Sequence, residues 1–167
     1  MNGLMRFSEF IQGLEGNRFE KLDSDGKVIQ VDFALKDPAD INELIRMEQR
    51  IGKPLPRTYK EFLLNWNGAR LFDYEGIDGF EILGTEDILD ANRFIAEVFE
   101  DDWVDYLLVF AKYIGEGNFL AFNTSAVEYA VVDCFVDELP LNWKQIAGNF
   151  DDFLSRIIES QGRKYWL

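Results

Sequence analysis

At 167 residues, with 47% hydrophobic and 29% charged residues, the chain suits one globular domain and is too apolar for a disordered one. It carries 31 acidic against 17 basic side chains and no histidine, a net charge of −14. That balance disfavours direct binding to nucleic-acid phosphates and removes histidine-dependent catalysis and most zinc chemistry.

The start MNGLMRFSEFIQ lacks the basic end and apolar run of a signal peptide, and no stretch approaches the ~20 apolar residues of a membrane span. With Cys134 as the only cysteine, no intrachain disulfide can form. These points lead us to expect a cytoplasmic protein.

Residues 5–13 read as a short helix with Phe7, Phe10 and Ile11 on one side. Residues 17–35 read as turn and strand, with the β-prone run Lys27–Val31 after an Asp23–Gly26 turn. Residues 39–51 have helical period: Ile41, Leu44, Ile45 and Glu48 fall at i, i+3, i+4 and i+7. Gly52 is placed to stop this helix and Pro56 to begin the next, which carries Tyr59, Phe62, Leu63 and Trp66 and closes at Asn67-Gly68. Leu71–Tyr74 and Phe80–Leu83 read as short strands. Thr85 is a candidate cap for a helix to about residue 98, with Ile88, Ala91, Ile95 and Val98 inward.

The second half is richer in strands: Val104–Phe110, Phe119–Phe122 and Tyr129–Phe135. Ile146, Phe150, Phe153, Leu154, Ile157 and Ile158 then mark a last helix, with a cap signal at Asn149 and Asp152. No repeat or linker interrupts the order, so residues 1–167 are expected to form one α+β domain.

Candidates for chemistry are few. Asp23, Asp25 and Asp32 match part of a calcium loop, but Lys21 stands where the first carboxylate belongs, so a hairpin turn is expected and no metal or cofactor. Cys134 reads as an inert strand residue. Glu100, Asp101, Asp102 and Asp105 form the densest acidic cluster; a partner-facing patch is the expectation, and a carboxylate hydrolase the minor alternative. Glu48 is expected to serve the turn that follows its helix. The tail Arg163–Leu167 combines basic and aromatic residues and is expected to pack back on the domain.

The run from Glu48 through Gly52, Leu55-Pro56, Tyr59, Phe62-Leu63 and Asn67-Gly68 resembles the signature of the SUKH superfamily. Leu108–Ala111 with Gly115–Asn118 is similar to that family's "pFa…GgGd.y" hairpin, Gly117 included. The stretch Ile146–Leu154, with Phe150, Phe153 and Leu154, is similar to its "iadsFeeFL" helix. The likeness spans roughly residues 36–160; residues 1–35 are an N-terminal helix and strand extension, and Asn118 and Asn149 replace the family's usual Asp and Ser.

The resemblance implies an α+β fold with a mainly antiparallel or mixed sheet flanked by helices, and a non-enzymatic role. Bacterial members commonly serve as immunity proteins that bind toxins; fungal relatives regulate cell-wall synthesis. The expectation is a monomer or weak dimer that binds a protein partner, plausibly a basic toxin domain. Composition suggests contacts at Phe72, Asp73, Tyr74 and Glu75 and at Glu100, Asp101, Asp102 and Asp105.

Overall fold

A computed structural model describes residues 2–167. Its centre is an eight-stranded sheet, β1 (Arg18–Leu22), β2 (Val28–Leu35), β3 (Ala69–Tyr74), β4 (Asp78–Ile82), β5 (Leu107–Tyr113), β6 (Phe119–Asn123), β7 (Ala130–Cys134) and β8 (Lys144–Ala147). Each strand pairs with its neighbour in sequence, antiparallel throughout, so no mixed pairing occurs. Five α-helices accompany it: α1 (Gly3–Gln12), α2 (Ile41–Ile51), α3 (Arg57–Asn65), α4 (Ile88–Phe99) and α5 (Phe150–Glu159).

The sheet separates two apolar clusters. Helices α1, α2, α3 and α5 cover the larger, which is rich in aromatic rings: Phe7, Tyr59, Phe62, Phe72, Phe80, Phe110, Phe122, Phe150 and Phe153. The smaller holds Ile95 of α4 with Leu107, Val109, Ala121, Val132, Cys134 and Trp143. A bulge in β5 between Val109 and Ala111 turns both Phe110 and Ala111 toward the larger cluster.

Several expected boundaries move, each for a local reason. Pro56 caps α3 rather than opening it, and the helix closes at Asn65 with Trp66 extended. The buried face of α2 centres on Leu44 and Met47; Ile41 and Ile45 are exposed, and Glu48 lies at the margin. Helix α4 begins at Ile88, because the Thr85 side chain is engaged by Asn67 and Glu43 instead of capping. Its inner face ends in Phe99, and Val98 points outward. Strands β1 and β8 are additions, and Ile146 belongs to β8, not to the last helix.

The segments at either end of the chain meet. Asp151 of α5 accepts hydrogen bonds from the backbone N–H groups of Gly3 and Leu4, at 2.7 and 3.0 Å, capping α1 from outside. A methyl group on Gly3 would lie 2.0 Å from the Asp151 carbonyl oxygen, so the approach demands glycine. Lys21, buried in β1, donates to the Gln161 carbonyl at 3.0 Å, and Arg163 donates to the Leu22 carbonyl at 3.1 Å.

The C-terminal residues fold onto the sheet. Trp166 Nε1 donates to Asp133 and Tyr165 Oη to the Ile146 carbonyl, both at 2.9 Å. Lys164 Nζ donates to both Glu116 oxygens, at 2.8 and 2.7 Å, and lies 4.1 Å from the centre of the Tyr113 ring. Those bonds hold the Glu116 carboxyl below its ordinary value. A depressed carboxyl contributes stability above the unfolded value of about 4.3, and that contribution is lost as pH falls through the folded value. Tryptophan fluorescence is therefore expected to be constant from pH 5 to 9 and to change below about pH 4 as the tail loosens. The Glu116→Gln variant is expected to lack that acid transition; an unchanged transition would sever the link to Glu116.

Candidate protein-binding site

The family-like residues build scaffold. Glu48 Oε1 accepts from the Leu55 backbone N–H at 3.3 Å and pairs with Lys60 at 3.0 Å, so it ties the Leu55-Pro56 turn to α3. Gly52 holds φ +80 at the end of α2. Leu55, Tyr59, Phe62, Leu63, Phe150, Phe153 and Leu154 are core. Burial raises the Tyr59 hydroxyl well above its ordinary value, and that hydroxyl donates to the Leu83 carbonyl.

Asn67 joins three elements. Its side chain donates to Thr85 Oγ1 at 2.8 Å and Glu43 at 3.4 Å, and accepts from the Thr85 N–H at 2.9 Å. Gly68 takes φ +103 beside it. Gly117 faces open space; Gly115, at φ +80 against the Ile77 backbone, is the constrained glycine of that turn.

The two acidic-aromatic segments lie apart. Phe72 is buried, which removes it as an exposed anchor. A bulge between Leu71 and Tyr74 puts Leu71 and Phe72 on the same side, with Phe72 at φ +53 in contact with Phe33. Asp73 stabilises its own turn, accepting from Arg70 at 3.0 Å and the Gly76 N–H at 2.8 Å. Tyr74 lines a cleft with Lys21 and Arg163, and Glu75 is exposed.

Glu100, Asp101 and Asp102 form a short 3-10 turn after α4, and Asp105 follows; all four are exposed. The Asp105 carbonyl accepts from Lys53. Around them the sequence is acidic far beyond the average: residues 86–105 hold eight acids and one arginine, a net −7, half the charge of the chain.

Helix α4 presents apolar side chains next to these acids. Phe94 is 58% exposed and Val98 54%, one turn apart. The Phe94 ring lies 6.4 Å from Phe119, which pairs across the sheet with Cys134; Phe135 follows, 45% exposed. Below them Phe99 meets Trp143 edge-on at 5.2 Å, and Trp143 Nε1 donates to the carbonyls of Phe135 and Glu138 at 3.0 and 3.2 Å. Asp137 and Glu138 are exposed on that loop. Sequence reading passed over Phe94, although its place beside Asp90 and Glu97, off the Ile88–Ile95 stripe, is visible in the helical period.

A side-chain amide fixes α4 to the sheet. Strand β4 stops pairing at Ile82, opposite Ala111, so Val109 has no strand partner on that side. Asn92 supplies one: its Oδ1 accepts from the Val109 N–H at 2.8 Å, and its Nδ2 donates to the Val109 carbonyl at 2.9 Å.

Other chemistry has little support here. Among the described residues no three Asp, Glu or Cys side chains gather to hold a metal ion. Asp23 Oδ1 instead accepts from the N–H groups of Asp25 and Lys27, closing the β1–β2 turn. Cys134 is buried, and burial raises its thiol well above the ordinary value. Among the described residues no helix is long and apolar enough to cross a membrane.

Comparison with known proteins adds a family. The model of the SMI1 / KNR4 family (SUKH-1) matches residues 38–156. The chain is also similar to two Bacillus subtilis (strain 168) proteins described as uncharacterized. It is 31% identical to YnaB over 136 residues, covering 80% of this chain and 86% of YnaB. It is 28% identical to YobM over 161 residues, covering 86% of this chain and 78% of YobM.

Proposed function

From a chain that belongs to the SMI1 / KNR4 family, we propose a non-catalytic domain that binds another protein, acting in the cytoplasm as an immunity protein against a basic toxin. The observation that carries this reading is the uneven charge: half of −14 lies in twenty residues beside exposed apolar side chains. Opposite potentials speed association and orient the partner. Nucleases are the toxin class such a surface suits, because they must themselves be basic to hold phosphates.

Tight occlusion of a toxin needs a rigid surface more than a reactive one. Glu100, Asp101, Asp102 and Asp105 stand exposed to water rather than in a closed pocket, and this weighs against hydrolysis by paired carboxylates.

The test is co-expression with the product of the adjacent reading frame. If that product kills cells, this protein is expected to restore growth and to co-purify with it. Killing without rescue or binding would end the immunity reading, and a harmless neighbour in an envelope-synthesis operon would favour a scaffold or regulator instead.

A further inference from the structure

We infer that the outer side of α4 and the 133–141 segment form one docking surface, and that its occupant is a protein segment carrying Lys and Arg around an apolar centre. The inference rests on the protein-binding reading above and deepens it by naming a face and a partner chemistry.

Phe94 and Val98 stand one turn apart on α4, and Phe94 approaches Phe119; Phe135 and Leu139, 45% and 48% exposed, lie on the segment that follows Cys134, the strand partner of Phe119. The floor of the surface is firm, since Phe99, Trp103 and Trp143 pack edge to face beneath it. Exposed aromatic and aliphatic groups on a rigid base are the usual anchors of protein interfaces. The rim is acidic: Glu97 in the last turn of α4, Glu100, Asp101 and Asp102 just after it, and Asp137 and Glu138 on the loop after β7.

The placement of the acids opposes the stability of the free chain. The C-terminus of a helix is its negative end and favours Lys or Arg. Helix α4 has no basic residue in its last turn; Glu97 lies there, and Glu100, Asp101 and Asp102 follow at once. Repulsion among them is relieved by cations brought from outside. The cleft between α2 and α4 has no such bias: it sets Arg46, Arg50 and Arg93 against Glu43, Glu86 and Asp90.

The test uses a 14-residue helical peptide of leucine and lysine, titrated into the isotopically labelled full chain and followed by nuclear magnetic resonance. Shift changes are expected to gather in residues 90–105 and 133–141, and affinity to fall at least tenfold from 50 to 300 mM NaCl. The double variant Phe94→Ser/Val98→Ser is expected to weaken binding at least fivefold with an unchanged melting temperature, since both side chains are exposed. The triple variant Glu100→Gln/Asp101→Asn/Asp102→Asn is expected to weaken binding and raise the melting temperature.

Shift changes centred elsewhere, equal binding of a peptide with Gln in place of Lys, or no saturable binding would overturn the proposal. Rescue by co-expression tests the immunity reading separately: if rescue fails while the peptide maps to α4, the face stands and the toxin role falls.

Discussion

Replacing Phe150 by alanine is expected to cost about 3–5 kcal/mol of stability, the usual range for emptying a buried aromatic site. Five rings surround Phe150: Tyr59 at 5.3 Å, Phe62 at 5.6 Å, Phe110 at 5.6 Å, Phe122 at 6.1 Å and Phe153 at 6.3 Å. Phe110 and Phe122 are stacked at 4.0 Å across β5 and β6, so neither can collapse into the space without breaking that stack. Domains of this kind have about 5–15 kcal/mol in total, so one substitution removes a large share. Urea unfolding at neutral pH measures it. Phe150→Leu keeps most of the volume and is expected to cost far less; equal losses for the two variants would mean that the site is not packed as described.

The second large effect is expected at Asn92, for a different reason. Asn92→Ala leaves the Val109 N–H and C=O without their partners beneath α4. An unsatisfied buried polar group costs on the order of 1–3 kcal/mol, and two are exposed to that penalty here. Because Asn92 fixes α4 at the β5 bulge, the loss is expected to be local as well as global. Hydrogen exchange should speed at Val109 and along α4 well before β1–β3 respond. Uniform acceleration across the sheet would show that Asn92 contributes only to overall stability. Asn92→Asp is a sharper variant, because the carboxylate keeps an acceptor for the Val109 N–H but sets a charge against its carbonyl.

These two residues mark the limit of what the sequence discloses. Phe150 sits on a helical stripe with Phe153, Leu154 and Ile157, and its cap is local: Asn149 accepts from the Asp152 N–H at 2.8 Å. Such features depend on neighbours within four positions and can be read directly. Asn92 is one polar residue in a helix, and its partner lies seventeen positions away in a strand whose bulge no pattern announces. Strand β8 was hidden for a related reason: Ile146 stands four residues before Phe150 and so joins the helical period by coincidence. Phe72 looked exposed because its neighbours Asp73 and Glu75 are charged, and only the bulge reveals that it faces inward. The acidic segment after α4 was legible as composition. That the helix leading into it turns Phe94 and Val98 out to solvent is a property of the folded chain.

The order of the strands has a consequence for the growing chain. Each strand pairs with its neighbours in sequence, so the sheet can grow strand by strand, with α2 and α3 bridging β2 to β3 and α4 bridging β4 to β5. Helix α1 is the exception: the carboxylate that caps it lies 148 residues downstream, in α5. During synthesis α1 therefore waits for α5, and Phe7 has no complete pocket until that later helix has emerged and docked.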